Sequence, residues 1–451
     1  MTLQAPVTLK DKIADRSAHV CIIGLGYVGL TTMVAAAQAG FRVTGIDLDQ
    51  DRVDQLNRGG SYIDDVDQVT LEALLRDGLI TASTDPRSAR DTDVVIICVP
   101  TPLNKNKEPL LDPIRDSATD LAGQPNSLGK RLVILQSTTY PGTTEELVLP
   151  ILSKDGLRVG EDFFLAFSPE RIDPGNSKHS VRDIPKVVGG VTAACTDMAS
   201  FFLAEVADEV RSVSSPRVGE MTKLLENIFR SVNIALVNEL MMLCERLGID
   251  IWEVIDSAST KPFGFMPFYP GAGVGGHCIP VDPFYLAWKA RESDFYVNFI
   301  QLAAQVNDNM PYYIESRIAD ILAERGLLLN RSEVLLLGVT FKRDVQDTRN
   351  SPAIALAQLL LRRGTRVSFN DPFVTRLSIG GDMFERTEAS PETLRAHDAT
   401  VLLVPHSSYD VVQIVKHSPL VIDVGNATGY LGELPNVIRI GAPHREQVRE
   451  E

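Results

Sequence analysis

The stretch from His19 to Asp47, HVCIIGLGYVGLTTMVAAAQAGFRVTGID, decides the fold of the first part of the chain. Gly24, Gly26 and Gly29 have G-x-G-x-x-G spacing; they follow an apolar β-branched run and open a helix-forming run that ends at Gly40. This order predicts a strand, a tight turn and a helix whose first amides can bind a pyrophosphate. Three glycines alone describe only a tight turn, but the flanking strand, the helix and the acidic last residue together favour a dinucleotide site.

The acidic residue of this stretch bears on which dinucleotide binds. Asp47 ends the second strand, where a carboxylate is expected to accept hydrogen bonds from the adenosine ribose. Leu48 and Asp49 follow it and carry no positive charge for a 2′-phosphate, so the sequence favours NAD over NADP. Arg52 lies five residues further on, and its side chain fits either the adenine side of the cofactor or a solvated position on a helix.

Outward from this unit, short β-branched runs alternate with helical segments as far as Val213, which predicts a parallel sheet with crossover helices. The same alternation resumes in EVLLLGV, SPAIALAQLLLRRG, TRVSFND, ATVLLVPH and LVIDVGN. We therefore predict an α/β fold of two Rossmann-like doubly wound domains joined by a central helical domain. The expected boundaries are 1–213, 214–325 and 326–451.

One segment of the central domain predicts an unusually apolar helix. From Pro216 to Gly248 the chain has no internal proline; Pro216 suits a first helical turn and Gly248 a C-terminal cap. Apolar residues recur there at helical spacing: Met221, Leu225, Ile228, Val232, Leu236 and Leu240. A helix with so much apolar surface needs neighbours on several sides, so we expect a core element that also joins two subunits into a homodimer.

Composition and charge exclude several classes of protein. The 451 residues carry a formal net charge of -15, which argues against a surface that follows a nucleic-acid backbone. No run reaches the length of about 18 apolar residues that a membrane helix needs, and the first 20 residues lack the apolar core of a signal peptide. We therefore expect a cytoplasmic protein with neither a nucleic-acid nor a membrane partner.

The five cysteines contain no C-x-x-C pair, which disfavours both a disulfide framework and a zinc site. Four lie in apolar runs, where a thiol packs as a small hydrophobic group: Cys21, Cys98, Cys195 and Cys244. Cys278 instead follows the glycine-rich run GAGVGGH, so its thiol is either an accessible nucleophile or a packed free cysteine. No second cluster of metal-ligating residues lies at ligand spacing from His277, so we expect no metal.

Two further positions carry residues that suit the chemistry of a nucleophilic thiol. Asp282 precedes Pro283 and predicts a helix N-cap, but a carboxylate four residues after a thiol can also orient or deprotonate water. Lys223 and Asn227 are four residues apart in the long helix and project from the same face. The ammonium of Lys223 can stabilise an oxyanion, or it can be a solvated or ion-paired lysine.

These motifs resemble the UDP-glucose/GDP-mannose dehydrogenase family, most closely the branch that oxidises UDP-N-acetylglucosamine at C6. The resemblance covers almost the whole chain and rests on the stretches IGLGYVGL, GIDLD, ICVPTPL, QSTTYPGTTEE, FSPERIDPGN, IPKVVGG, EMTKLLENIFRSVNIALVNEL, TKPFGFMPFYPGAGVGGHCIPVDPFYL and GVTFKRDVQDTRNSP. It implies a four-electron oxidation of a nucleotide sugar to a uronic acid by two NAD molecules, for polysaccharide biosynthesis. In this reaction Cys278 forms a thiohemiacetal and then a thioester.

The resemblance also implies roles for individual residues. Lys223 and Asn227 match an oxyanion-stabilising pair, Asp282 a carboxylate beside the cysteine, and Lys342 a lysine that reaches the sugar nucleotide from the third domain. The expected catalytic residues are Cys278, Lys223, Asn227, Asp282, Thr138 and Glu170. The expected cofactor contacts are Gly24, Gly26, Tyr27, Val28, Gly29, Asp47, Arg52, Pro100, Thr101, Thr138 and Arg349. The expected substrate contacts are Glu170, Arg171, Lys223, Asn227, Tyr269, Gly275 and Lys342.

Two departures from the UDP-glucose enzymes concern the sugar pocket. Their N-P-E-F-L-x-E-G motif reads S-P-E-R-I-D-P-G here, with Pro174 in place of the second glutamate. The arginine that they place before the glycine-rich loop has no match in residues 260–265, where Lys261 is the nearest substitute. UDP-N-acetylmannosamine and UDP- or dTDP-glucose remain alternative substrates. A one-step NAD alcohol dehydrogenase and a non-catalytic nucleotide-sugar sensor remain alternative functions.

Overall fold

The computed structural model describes residues 7–63, 65–123, 130–173, 175, 180–277 and 279–443. The chain divides into two compact units. The first unit comprises Met1–Glu226 and Phe284–Tyr296, and the second comprises Asn227–Pro283 and Val297–Glu451. The fold is mixed α/β, with two Rossmann-like domains and a central helical region, which confirms the predicted fold class.

The first unit contains an eight-stranded sheet in the order β3-β2-β1-β4-β5-β6-β7-β8. Its strands are β1 (His19–Ile23), β2 (Arg42–Ile46), β3 (Ile80–Ser83), β4 (Val94–Ile97), β5 (Leu132–Leu135), β6 (Phe164–Phe167), β7 (Lys186–Gly190) and β8 (Val210–Ser212). The strand order reverses between β1 and β4, where an open α/β sheet forms its ligand crevice. The turn after β1 therefore lies at this crevice.

Among the described residues, the α-helices that accompany this sheet are α1 (Leu9–Ala14), α2 (Tyr27–Gln38), α3 (Gln50–Asn57), α4 (Gln68–Arg76), α5 (Asp112–Ala122), α6 (Leu149–Leu152) and α7 (Ala193–Val206). The centre of the sheet is built from short apolar strands; β4 and β5 are buried along their whole length. Such continuous burial is typical of strands covered on both faces.

The predicted all-parallel sheet is wrong at one strand pair. β7 runs antiparallel to β6, with Ala166 opposite Gly190 and Phe167 opposite Gly189. The alternation of apolar runs gives no sign of strand direction, because parallel and antiparallel buried strands have the same residue pattern. As a consequence, the first residue of β7 lies at the edge of the sheet where β6 ends.

Four helices form the central region: α8 (Pro216–Leu247), α9 (Ile251–Ser259), α10 (Asp282–Arg291) and α11 (Asn298–Glu324). The long helix predicted from Pro216 is confirmed, and Gly248 follows it with a φ of +67°. α8 runs through the boundary between the units, which falls between Glu226 and Asn227. α10 starts at Asp282 itself, one residue earlier than Pro283, which an N-cap at Asp282 would make the first helical residue.

The second unit contains a parallel five-stranded sheet in the order β10-β9-β13-β14-β15 and a separate antiparallel hairpin of β11 and β12. These strands are β9 (Glu333–Leu337), β10 (Arg366–Asn370), β11 (Arg376–Ile379), β12 (Asp382–Glu385), β13 (Ala399–Leu402), β14 (Val421–Asp423) and β15 (Val437–Arg439). The helices α12 (Pro352–Arg362), α13 (Pro391–Ala396) and α14 (Val411–His417) accompany them. The sheet order reverses between β9 and β13, so the loops that follow these strands form the crevice of this unit.

Within the part of the chain that the structure describes, no helix is long and apolar enough to cross a membrane. The four cysteines predicted to pack in the core are all buried: Cys21, Cys98, Cys195 and Cys244.

Candidate active site

The turn between β1 and α2 has the geometry that a bound dinucleotide needs. A Cβ on Gly29 would lie 1.7 Å from the carbonyl oxygen of Gly24, so only glycine allows this close contact between turn and helix. A Cβ on Gly26, in contrast, would meet no atom within 4 Å. The space in front of Gly26 and the first amides of α2 therefore fit a pyrophosphate. Tyr27 and Val28 form the first turn of this helix.

Asp47 connects this turn to the end of β2. Its carboxylate accepts hydrogen bonds from the backbone N–H of Leu25 at 2.7 Å and of Asp49 at 2.9 Å. The guanidinium of Arg52 lies 3.6 Å from the same carboxylate and 5.8 Å from the centre of the Tyr62 ring. Arg52 is therefore held beside Asp47 at the start of α3, at the edge of the predicted adenosine site.

The hydroxyl of Tyr27 donates a hydrogen bond to the carboxylate of Asp65. The same carboxylate accepts the N–H of Gly175 at 3.0 Å. Burial, followed by the hydrogen bond to Asp65, raises the pKa of Tyr27. Tyr27 therefore remains protonated and serves as a donor at the front of the glycine turn.

The loops after β4 and β5 bring two predicted cofactor contacts together. The hydroxyl of Thr101 donates to the carbonyl oxygen of Thr138 at 2.8 Å, and the hydroxyl of Tyr285 donates to the carbonyl oxygen of Thr101 at 2.5 Å. Pro100, next to Thr101, is exposed. Because the side-chain hydroxyl of Thr101 is used to fix the neighbouring loop, Thr138 has a defined position at the carboxyl edge of the sheet.

Glu170, which follows β6, is buried with only 6% of its surface exposed. Its Oε2 accepts hydrogen bonds from Lys186 and from Gln136, both at 2.6 Å. Its Oε1 accepts the backbone N–H groups of Arg171 at 2.8 Å and Ile172 at 3.2 Å. The carboxylate is thus held by four donors from three segments of the first unit.

Burial alone would raise the pKa of Glu170, but the charge of Lys186 and its hydrogen bond oppose this effect. The N–H of Arg171 and the positive charge of Lys223 act in the same direction, so the pKa of Glu170 lies below its ordinary value. Lys223 itself is 8% exposed and belongs to the first-unit part of α8. Glu170 and Lys223, both predicted catalytic residues, therefore interact electrostatically within one unit.

Arg171 is held by an ion pair. Its guanidinium lies 2.6 Å from the carboxylate of Glu226 and donates to the carbonyl oxygen of Pro185 at 2.9 Å. Its side chain is 28% exposed, which leaves part of the guanidinium accessible for a substrate contact.

The second unit brings together another predicted pair. The side-chain amide of Asn227 on α8 donates a hydrogen bond to the carboxylate of Asp282 at the start of α10. Both residues are buried, with 6% and 1% of their surfaces exposed. A buried carboxylate needs such a donor, because burial without a partner is costly. The amide of Asn227 therefore orients the carboxylate that the sequence places four residues after Cys278.

Cys278 itself lies outside the described residues, but the glycines before it have a defined environment. The N–H of Gly276 donates to the carbonyl oxygen of Arg349 at 2.9 Å, and the amide of Asn350 donates to the carbonyl oxygen of Gly276 at 3.0 Å. A Cβ on Gly275 would lie 2.6 Å from the Cβ of Phe341. The glycine-rich run thus lies directly on the loop of residues 341–350.

The remaining predicted residues lie at separate positions of the second unit. Tyr269 stacks on Trp252, with the ring centres 6.3 Å apart, and donates from its hydroxyl to Asp256 at 3.0 Å. The guanidinium of Arg349 pairs with Asp347 at 2.5 Å. Lys342 is half-buried in the loop after β9.

A buried pair that sequence reasoning missed supports this loop. His406 is 3.0 Å from the carboxylate of Asp371, and that carboxylate accepts the N–H of Val339 at 2.7 Å. The hydroxyl of Thr340 donates to the carbonyl oxygen of Lys342 at 2.9 Å. In the sequence, Asp371 could have been found from FND at the end of a predicted strand. Nothing in the sequence near His406 indicates that it pairs with Asp371.

Lys186 and Gln136 were also missed as site residues, although IPKVVGG and QSTT were both recognised as family stretches. A lysine at the start of an apolar strand is a usable signal, since lysine is rarely buried without a partner. Among the described residues, no group of three or more His, Cys, Asp or Glu side chains is arranged to hold a metal ion.

Comparison with known proteins assigns this arrangement to a class. Three domain models of the UDP-glucose/GDP-mannose dehydrogenase family match in order: the NAD binding domain at 18–206, the central domain at 217–309 and the UDP binding domain at 335–429. The chain is 36% identical to a UDP-N-acetyl-D-glucosamine 6-dehydrogenase of Pseudomonas aeruginosa, over 87% of this chain and 92% of that one. It is 33% identical to a UDP-N-acetyl-D-mannosamine dehydrogenase of Escherichia coli, over 88% and 95%.

A solved structure supports the same assignment. A UDP-D-ManNAc dehydrogenase from Pyrococcus horikoshii superposes with a TM-score of 0.84 and 28% identity, over 94% of this chain and 99% of that one. The fold and site therefore define an NAD-dependent oxidoreductase that acts on a UDP-sugar. The chain belongs to the UDP-glucose/GDP-mannose dehydrogenase family. The predicted family, enzyme class, cofactor NAD and nucleotide-sugar substrate are confirmed.

Proposed function

We propose that the protein is a UDP-N-acetylglucosamine 6-dehydrogenase that oxidises the C6 hydroxymethyl group to a carboxylate through a covalent intermediate on Cys278. The observation that carries the reaction is the buried pair of Asn227 and Asp282, because it holds a carboxylate oriented four residues after a cysteine. A one-step alcohol dehydrogenase needs no such arrangement. The relatives named UDP-N-acetyl-D-glucosamine 6-dehydrogenase support the choice of hexose.

When bound, NAD would supply the hydride acceptor, and two successive oxidations with one NAD each would account for the four electrons lost by each sugar. Between the two oxidations, the thiol of Cys278 adds to the C6 aldehyde, and the S–C bond that forms gives a thiohemiacetal. Oxidation of that carbon leaves a thioester, which water cleaves to release the carboxylate and the thiol. One alcohol, two NAD⁺ and one water thus give one carboxylate, two NADH and three protons.

The residues on α8 support the charged stages of this sequence. Lys223 carries a positive charge in a buried position, where it stabilises negative charge on the C6 oxygen. The amide of Asn227 can donate to the same oxygen while it orients Asp282. Asp282 then directs the water that attacks the thioester. Thr138 and Glu170 contribute from the carboxyl edge of the first sheet, where Glu170 supplies a fixed negative charge.

The other contacts follow the expected division of roles. For NAD we propose the glycine turn with Tyr27, Val28, Asp47 and Arg52, together with Pro100, Thr101, Thr138 and Arg349. For the nucleotide sugar we propose Glu170, Arg171, Lys223, Asn227, Tyr269, Gly275 and Lys342. We propose domains at 1–213 for NAD, at 214–325 for the central helices with the catalytic lysine and cysteine, and at 326–451 for the nucleotide sugar.

We also propose that the enzyme is a cytoplasmic homodimer formed through α8, with a product used in polysaccharide biosynthesis. Large apolar residues on this helix are exposed in the single chain: Val218, Met221, Leu225, Phe229, Leu236, Leu240, Leu243 and Leu247. A second copy of the same helix is the natural cover for such a stripe, since a two-fold contact matches like surface with like.

The assay that tests the substrate is NADH release from a panel of UDP- and dTDP-linked hexoses and N-acetylhexosamines. We expect the highest kcat/KM with UDP-N-acetylglucosamine and two NADH per sugar consumed. UDP-N-acetylmannosamine is the second candidate, because relatives named UDP-N-acetyl-D-mannosamine dehydrogenase have a similar identity to this chain. Turnover of a glucose nucleotide with none of the acetamido sugars would overturn the choice of hexose. A yield of one NADH per sugar would overturn the four-electron reaction.

A further inference from the structure

The strand that departs from the parallel sheet brings a lysine to the candidate site. β6 and β7 are antiparallel, with Phe167 opposite Gly189. Continuing this register by three residues in each strand pairs Glu170 with Lys186. Had β7 been parallel to β6, its first residue would lie at the opposite edge of the sheet. The reversed strand is therefore the reason that an ammonium group reaches Glu170.

The contact between these two side chains is buried and direct. The Nζ of Lys186 lies 2.6 Å from the Oε2 of Glu170, and the two side chains are 6% and 5% exposed. Lys186 and Gln136 also line a cavity of about 20 Å³, together with the hydroxyl-bearing Ser168. A cavity of this volume accommodates one water, which can accept a hydrogen bond from the Lys186 side chain. Lys186 thus has a carboxylate partner and further polar neighbours in its buried position.

The geometry around Glu170 leaves its orientation fully determined. A carboxylate offers about four acceptor positions, and four donors meet them here: two side chains on Oε2 and two backbone N–H groups on Oε1. These four donors hold the carboxylate in one orientation, which is the orientation in which Glu170 is proposed to meet the nucleotide sugar.

We propose that Lys186 is a positioning residue for the dehydrogenase reaction: it holds Glu170 ionised and in one orientation. This proposal rests on the proposed function only in assigning Glu170 to the active site. The lowered pKa of Glu170 agrees with it, since burial without Lys186 would favour the neutral acid. Lys186 acts through Glu170 and needs no contact with the substrate.

The test compares variants at Lys186 across the pH range from about 5 to about 9, in the pH dependence of kcat/KM. Lys186→Met removes the charge, and Lys186→Gln removes the charge but keeps a donor for Oε2, so that the second variant folds if the first does not. In both variants, the acid limb of the kcat/KM profile is expected to move to higher pH by about one to three units. This is the range over which a nearby cation lowers the pKa of a carboxyl group. Lys186→Arg is expected to restore the parent limb.

Two controls separate positioning from a general loss of structure. Arg182→Met removes a cation from the exposed ion pair with Asp208 in the same unit and is expected to leave the profile unchanged. In a Glu170→Gln background, Lys186→Gln is expected to cause no further displacement. A Lys186→Gln enzyme with the parent acid limb, whatever its rate, would overturn the proposal.

The assay uses whichever nucleotide sugar the parent enzyme turns over best. A parent that prefers another hexose, or that releases one NADH per sugar, overturns the proposed function, while the Lys186 comparison still gives its own result.

Discussion

The carboxylate of Asp47 accepts the backbone N–H of Leu25 at 2.7 Å. The acidic residue at the end of β2 is thereby fixed to the glycine turn after β1, so the side chain proposed for the ribose is tied to the backbone proposed for the pyrophosphate. Arg52 lies 3.6 Å from the same carboxylate and 3.4 Å from that of Asp49, so its positive charge is paired with both.

Asp47→Asn is expected to raise the KM for NAD about tenfold, equivalent to about 1.4 kcal/mol. The amide can still accept from Leu25, so the turn is retained, but the charge that pairs with Arg52 is lost. We also expect measurable activity with NADP, since Arg52, left with Asp49 as its acidic partner, can meet a 2′-phosphate. The control is Asp54→Asn in α3, the helix that carries Arg52, where the carboxylate of Asp54 accepts from Gln50. Equal NAD kinetics in both variants would contradict the assignment of Asp47.

Two glycine substitutions separate cofactor binding from folding. Gly26→Ala adds a methyl group where no atom lies within 4 Å, so the Tm without NAD is expected to stay unchanged while NAD binding is lost. Gly29→Ala places a methyl group 1.7 Å from a backbone oxygen and is expected to destabilise the protein by about 1–3 kcal/mol or more. Thermal unfolding and calorimetric titration with NAD measure both effects. Tight NAD binding by Gly26→Ala would show that the pyrophosphate lies elsewhere.

Asp282→Asn is expected to slow hydrolysis of the intermediate more than its formation. The oxygen of the new amide can still accept the hydrogen bond from Asn227, so folding is preserved. The neutral amide, however, lacks the negative charge with which the carboxylate would orient or deprotonate the attacking water. Intact mass spectrometry of the enzyme after mixing with NAD and substrate should show a covalent adduct. Cys278→Ser should show none and should make uronic acid far more slowly than the parent. The matched control is Asp320→Asn, since Asp320 is an exposed carboxylate that pairs with Arg317 and belongs to no proposed site.

Negative charges introduced among the exposed apolar residues of α8 are expected to prevent dimerisation. Leu236 and Leu240 are 54% and 37% exposed in the single chain, so glutamate at both positions costs little within one chain. Light scattering after gel filtration should report a dimer for the parent and a monomer for the Leu236→Glu/Leu240→Glu variant. Leu328, which is 58% exposed outside this helix, gives the control Leu328→Glu. A monomeric parent enzyme would contradict the proposed interface.

We expect the second unit to lose stability at acidic pH, because Asp371 is ionised in the folded protein. Burial alone would raise its pKa, but hydrogen bonds from His406 and from the N–H groups of Phe373 and Val339 lower it below the ordinary value of 3.8. A depressed folded pKa contributes stability above 3.8 that is lost as the pH falls toward the folded pKa. In urea unfolding, the stability gap between the parent and Asp371→Asn should therefore be largest at neutral pH and shrink below 3.8. A gap that is independent of pH would contradict this linkage.

The local features of the fold could be predicted because they depend on residues close in sequence. The glycine turn, the strand that leads to Asp47 and the helix from Pro216 to Leu247 all follow from spacing and from helix-end residues. The antiparallel direction of β7 could not be predicted, since direction depends on how the chain returns to the sheet. The hairpin of β11 and β12 was missed as well, because β11 is buried only at alternate residues and β12 is mostly exposed, so neither contains a continuous apolar run.

The candidate site also has residues that could be predicted from the sequence and contacts that could not. Lys223, Asn227 and Asp282 could be named from spacing and resemblance, because each carries chemistry that its motif requires. Their partners could not be named: nothing in the sequence relates Glu170 to Lys186, which lies 16 residues later. A contact of this kind is set by strand register and direction, which only the folded chain defines.

Gly276 makes two hydrogen bonds to the loop that ends at Asn350. Its N–H donates to the carbonyl oxygen of Arg349, and its carbonyl oxygen accepts from the side-chain amide of Asn350. The residues leading to Cys278 and the loop that carries Lys342 are therefore joined by hydrogen bonds within one unit. With the proposed roles of Lys342 at the nucleotide and Cys278 at the C6 carbon, both ends of the substrate would be held by segments of this unit. A hexose 1-phosphate with the correct sugar would then be too short to be held at both ends. The enzyme would select its substrates by overall length before any contact with the sugar's own hydroxyl groups.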